Sequence, residues 1–297
     1  MKRSFTSEEG AALCVKACLN QIEVGRVQTL LSEDTKGPFE LRKGLRKLRT
    51  ALGLFEGAID SPKTRELAEQ AKWLGHQVGK TRDLEVALYE IFEPAISQDG
   101  GDLAKHPFLE AVRAALNKER HRLRALLDGR RVRQFMASLQ DYVAHRQWLV
   151  SEDITQTKRL AMPLGEFADL ALSDRWKRTS RKAKYLGQLS IQQSHELRKA
   201  LKKLRYSVEF LAPLYSARRI SPYLKRLKAL QTIYGTWNDS ALAETMFEQL
   251  ARRGVSQISN IDGIACAIKG LHIRAAAKMA EAGPHWRKLK VANRPWA

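Results

Sequence analysis

The chain has 297 residues, with 52 Lys and Arg against 32 Asp and Glu, a formal net charge of +20 and a pI near 10.1. Such self-repulsion points to a polyanionic partner: nucleic acid, an anionic membrane surface or inorganic polyphosphate. The 44% hydrophobic and 28% charged content is that of a soluble globular protein; no apolar run is long enough to span a bilayer, and the basic start MKRSFTSEEG has no apolar stretch behind it, so a cytoplasmic chain without membrane insertion is expected.

The first segment, SEEGAALCVKACLNQIEVGRVQTLL, keeps Ala12, Val15, Leu19, Ile22 and Leu30 at helical spacing. It holds Cys14 and Cys18; with Cys266 these are the three cysteines, too few and too scattered for a disulfide framework. Cys14 and Cys18 stand four apart, but no His or acid nearby completes a tetrahedral metal set, so they read as small buried hydrophobes.

FELRKGLRKLR, from Phe39 to Arg49, follows. On a helical wheel Leu41, Leu45, Leu48, Leu52 and Phe55 form one narrow face, and Arg42, Arg46 and Arg49 form a second face beside it. Three guanidinium groups spread over about 10 Å of helix repel one another, and no acid after Glu40 interleaves them. Cations flanking the core stripe point to anion binding, whereas Lys43 faces away and reads as solvated surface.

Next comes GHQVGKT, Gly75 to Thr81, which approaches a phosphate loop but has three residues between its glycines where four are needed. The preceding RELAEQAKWL also has helical rather than strand spacing. Glycine ending or bending a helix, with Asp83 opening the next turn, is the reading adopted. Helix continues to about Ile96, breaks at Gln98 to Asp102, and resumes from Pro107 to Leu127 and from Val132 to Trp148. Arg113, Arg120 and Arg124 make a third basic stripe at helical spacing.

The second half repeats the first. HELRKALKKLR, His195 to Arg205, matches FELRKGLRKLR at eight of eleven positions, at an offset of 156. The same offset pairs Lys72 with Lys228, Gly79 with Gly235 and Asp83 with Asp239, and the two lysines join the candidate binding set. Arg198, Lys202 and Arg205 reproduce the flanking stripe, with His195 one turn earlier on the same face, while Lys199 answers Lys43. Gly75, Lys80 and Thr81 become Gln231, Thr236 and Trp237, which disposes of the phosphate loop. Only Lys269 answers the third stripe. Second-half helices are expected to begin near Met162, Gln193, Ser221 and Ile258. No segment alternates β-branched residues between hairpin turns, so the fold class is all-α, internally duplicated, with halves at 1–150 and 156–297.

Seven histidines are present, and none forms HExxH or a paired His-carboxylate helix motif, so no metal or other cofactor is expected. Beside Arg198, Lys202 and Arg205, His195 suits hydrogen bonding to phosphate better than metal ligation, because neighbouring positive charge lowers its proton affinity.

On HELRKALKKLRYSVEFLAPLY followed by LKALQTIYGTWNDSALA, on the weaker FELRKGLRKLRTALGLF and WLGHQVGKTRDLEVAL, and on the closing HWRKLKVANRPWA, the chain resembles the conserved histidine α-helical domain family, CHAD. The resemblance implies two four-helix-bundle-like halves related by a pseudo-twofold axis, with a basic pore or groove between them that binds inorganic polyphosphate without catalysis. It assigns binding to Arg42, Arg46, Lys47 and Arg49, and to His195, Arg198, Lys202, Lys203 and Arg205, and implies association with polyphosphate granules. Phe39 departs from the family's first-half histidine, which implies asymmetric binding. Two alternatives stay open: a nucleic-acid-binding module, to which the charge applies equally, and a phosphate-processing enzyme using His195 as acid or nucleophile.

Overall fold

The structure, a computed structural model, describes residues 1–98, 102–184, 186–251 and 261–296. Among them no β-strand occurs; the one extended pairing is an isolated antiparallel bridge between Thr6 and Pro163.

In the first half, α1 (Ser7–Leu31), α2 (Lys36–Leu54) and the single turn α3 (Glu56–Ile59) lead to α4 (Pro62–Glu85). A π-helical stretch, Val86–Phe92, continues α4 into α5 (Glu93–Gln98), and α6 (Pro107–Asp128) and α7 (Arg130–Ala144) follow. The second half comprises α8 (Ile154–Ala161), α9 (Leu164–Lys182), α10 (Ile191–Leu211), α11 (Ala217–Ala251), α12 (Ile261–Ala280) and α13 (Ala282–Lys290). The expected start near Ile258, and most of the expected break after Gln98, lie outside the described residues.

Local chemistry sets several of these ends. Thr6 caps α1 reciprocally with Glu9: its hydroxyl accepts from the Glu9 N–H at 3.1 Å, and the Glu9 carboxylate accepts from the Thr6 N–H at 2.7 Å. Ser61, followed by Pro62 at the first helical position, caps α4. Arg146, with φ of 51°, turns the chain out of α7, so that helix ends at Ala144 rather than Trp148. Neither repeated glycine ends a helix. α4 runs through Gly79 and α11 through Gly235, leaving Asp83 and Asp239 inside helices, which corrects the helix-ending expectation.

Gly25 and Gly44 let α1 and α2 approach closely, because a Cβ on Gly44 would stand 2.9 Å from Ile22 Cγ1 and one on Gly25 would press on the backbone of Leu41. α2 then packs on α4, and α6 and α7 pack on α4 and α1; α10 packs between α9 and α11, and α12 and α13 lie against α11. One apolar core runs from Ala11 to Trp296 and takes in Leu41, Leu45 and Leu48 of α2 together with Leu197, Leu201 and Leu204 of α10. Each such leucine contributes roughly 1.5–3 kcal/mol. A smaller cluster joins Leu88, Phe92, Phe108 and Val112 to Ala243, Ile264 and Ile268, so first-half and second-half residues share both cores. Cys14 and Cys18 are buried in the larger core as expected, and burial pushes the Cys18 thiol up to about 12.

Candidate functional site

α2 and α10 pack side by side, which brings the two basic motifs face to face. Their leucines are fully buried, and a helix turns 100° per residue, so Arg42, Arg46 and Arg49 on one and Arg198, Lys202 and Arg205 on the other must emerge along the edge of the contact. The start of α10 is fixed by Ser190, whose hydroxyl accepts from the Gln193 N–H at 3.2 Å, while the Gln193 side chain accepts from the Ser190 N–H at 2.8 Å. This cap sets His195 one turn before Arg198.

Two cavities open on this edge. The first, about 800 Å³, lies between α2, the end of α4, α10 and α11; the second, about 730 Å³, lies between α2, the start of α4 and α10. They share a wall made of Arg42, Arg46, His195, Arg198, Lys202 and Tyr206. Arg205 and Arg82 extend the first cavity; Arg49, Lys72 and Lys203 extend the second. Basic side chains thus line both cavities and meet on the wall they share.

Lys202 sits buried among three arginines. Burial, then Arg46, Arg198 and Arg42, push its ammonium down to about 6, with Asp239 opposing. Burial likewise lowers Arg198, Arg49 and Lys203, although arginine stays charged at any ordinary pH. His195 is lowered by burial and then by Lys199 and Arg198, in the expected direction, so near pH 7 its neutral ring offers one N–H donor and one acceptor. The Nε–H groups of Arg198 and Arg205 find no acceptor among the described residues.

Carboxylates hold this array open. Arg42 Nη1 donates to Asp83 Oδ1 at 2.7 Å, and the guanidinium lies across Gly79, where a Cβ would stand 3.2 Å from Nη2. Gly79 is thus a seat for an arginine instead of a helix stop. Asp239, at the repeated position, acts on Arg198 and Lys202, and burial raises its own carboxyl. Gly235 has nothing within 4 Å of a Cβ, so the seat is not repeated. Phe39 lines the first cavity, with Lys43 Nζ 5.5 Å and Arg82 Cζ 5.6 Å from its ring centre. Phe39 therefore gathers two cations against its π-face and donates no side-chain hydrogen bond.

Several expected residues lie elsewhere. Lys47 lines neither cavity; its charge acts on Cys18 and Glu40, towards α1. Lys228 is exposed on α11 and also lines neither. Lys43 and Lys199 reach the cavity walls after all, but each is tied to an acid, Glu40 at 3.1 Å and Glu196 at 2.9 Å.

The third stripe is structural. Arg113 pairs with Glu93 at 2.8 Å, Arg120 with buried Glu85 at 3.2 Å, and Arg124 donates to the carbonyls of Thr29 and Ser32 and to Glu33. Arg120→Leu strands Glu85 with Arg82 as its remaining cation, 3.5 Å away. With Arg82 still near, the destabilisation should approach the ~3–5 kcal/mol usual for breaking a buried pair. Thermal unfolding should register the loss.

Arg82, Asp83, Asp239 and Tyr206 escaped the sequence reading as site residues. The recurrence of the acid at an offset of 156 was the available signal. Among the described residues no group of three or more His, Cys, Asp or Glu could hold a metal, and no helix is long and apolar enough to cross a membrane.

A family model for the CHAD domain matches residues 13–248. The crystal structure of the CHAD domain from the plant Ricinus communis superposes with a TM-score of 0.79 at 22% identity, over 99% of this chain and 95% of that one. A search of curated proteins finds no match.

Proposed function

Since the chain belongs to the CHAD domain family, for which polyphosphate binding is a known property, we propose that it binds inorganic polyphosphate non-catalytically in the groove between α2 and α10. The observation that carries this reading is the shared wall of the two cavities, where Arg42, Arg46, Arg198 and Lys202 converge with His195. Arg42, Arg46 and Arg198 repel each other there and push Lys202 towards its neutral form, so the cluster is costly to keep without an anion. A polymer with one negative charge per phosphate unit neutralises them in series, releases counterions, and takes bidentate contacts from the arginine forks.

His195 donates a hydrogen bond to a phosphate oxygen in this scheme, and Asp83 holds Arg42 in place for the incoming chain. Through this groove the protein associates with polyphosphate granules.

The test is a competition titration of long-chain polyphosphate against single- and double-stranded DNA and RNA, matched in phosphate concentration, across a salt series. Polyphosphate should win at physiological salt, with affinity falling steeply as salt rises. A win for RNA or DNA would make the groove a nucleic-acid site. Phosphate release from polyphosphate that disappears on removal of His195 would make the protein an enzyme.

A further inference from the structure

α1 is apolar on two opposite sides. Its inner face buries Ala11, Val15, Cys18 and Ile22. Its outer face presents Leu13, Ala17, Asn20, Val24, Val27 and Leu31, all exposed, with Val24 at 54% and Leu31 at 82%. At 100° per residue these six fall within an arc of about 80°. An ordinary surface helix has one apolar stripe, directed at its own core. Among the described residues this second stripe is left exposed.

The spacing of the outer stripe alternates four and three residues, which is the seam of a two-helix coiled coil. It is self-complementary when reversed about the level of Ile22. Leu13 then meets Leu31 of a second copy, Ala17 meets Val27, and Asn20 meets Val24. The two Asn20 amides fall about 6 Å apart along the axis, close enough to bond across the twofold and pin the register. Charge favours the same pairing. In a protein of net charge +20, residues 13–31 contain only Lys16, Glu23 and Arg26 as charged groups, and the last two pair with each other at 3.1 Å.

We propose that this chain forms a twofold antiparallel dimer through the outer face of α1. Closed twofold pairs are the commonest assemblies, and an isologous contact requires a face that matches itself on reversal. A specific interface buries at least about 1,000–1,200 Å² in total, so the flanking Lys16, Gln21, Glu23 and Gln28 join the six seam residues in the contact. The groove is unaffected, because α1 lines neither cavity, so the dimer stands independently of the anion the groove takes.

Sedimentation velocity on the full chain between about 1 and 100 µM, in 0.3 M salt where the Debye length is about 6 Å, should show a monomer–dimer equilibrium. Val24→Glu with Val27→Glu should shift it to monomer without changing the thermal midpoint or polyphosphate affinity. For register, exposed Cys266 is first changed to Ser. A mixture of the single variants Leu13→Cys and Leu31→Cys should then cross-link on oxidation, whereas Leu31→Cys alone should not, since its two copies sit about 27 Å apart along the antiparallel seam. A monomer throughout the range, a dimer indifferent to the glutamates, or efficient cross-linking of Leu31→Cys with itself would each overturn the proposal.

Discussion

A chain carrying Arg46→Glu together with Arg198→Glu should lose polyphosphate binding by about a thousand-fold or more. Each change removes a charge-assisted contact of about 1.5–3 kcal/mol and adds repulsion against phosphate. The two side chains stand on opposite helices and line both cavities, so a polyanion in either cavity meets both changes. Because Arg198→Glu also faces Asp239 and Asp83, a thermal midpoint is measured beside the titration to show that the double variant is folded. Net charge alone is controlled by Lys47→Glu with Lys228→Glu, which changes the formal charge equally but lies outside both cavities. That variant should weaken binding only a few-fold in a filter or fluorescence titration. Equal losses in the two variants would mean that bulk charge, not this groove, does the binding.

Polyphosphate binding should also take up a proton at neutral pH, and the proton should go to Lys202. In the empty groove this lysine is pushed down to about 6, so above that pH it is mostly neutral. Arg42, Arg46 and Arg198 face it from α2 and α10, with His195 and Arg205 on its own helix, Asp83 on α4 and Asp239 on α11. A polyanion among them reverses the local potential and restores the ammonium. Affinity should then fall as pH rises above about 6, by up to tenfold per unit at the limit of one proton. Calorimetry in two buffers of different ionisation enthalpy at pH 7.5 measures the uptake directly, and Lys202→Arg should abolish it while keeping tight binding.

The same shift acts on the empty protein. The folded state binds fewer protons at Lys202 than the unfolded chain between about pH 6 and 10.5, so this group makes the free protein less stable as pH falls through that range. Lys202→Met should therefore raise the thermal midpoint at pH 7 and weaken polyphosphate binding. Unchanged stability in that variant would mean that the lysine escapes to solvent.

The all-α class was legible because leucines at three- and four-residue spacing leave no other way to bury themselves, and Leu41, Leu45 and Leu48 do so completely. The flanking arginines were legible for the same reason: once the core face is known, the angle fixes its neighbours. What stayed hidden depended on residues distant in the chain. Arg120 looks like a free cation until Glu85 arrives from another helix, and Gly79 looks like a stop until Arg42 is laid across it. Lys47 is one residue away from the groove face, and on a helix one residue is a third of a turn. In α1, Ala12, Leu19 and Leu30 are only partly buried, since the periodic reading merged two apolar faces into one.

The helices that carry the two walls of the groove are keyed into a single core, with Leu45 and Leu201 in the same cluster. Opening the walls would break that core, so the groove has a set width before any ligand arrives. Encounter with a polyanion then involves no hinge or lid, and its rate is governed by long-range attraction. Association should run near the electrostatically steered limit of about 10⁸–10⁹ M⁻¹s⁻¹ at low salt and slow steeply as ions are added, leaving the residence time to report how many phosphates are held at once.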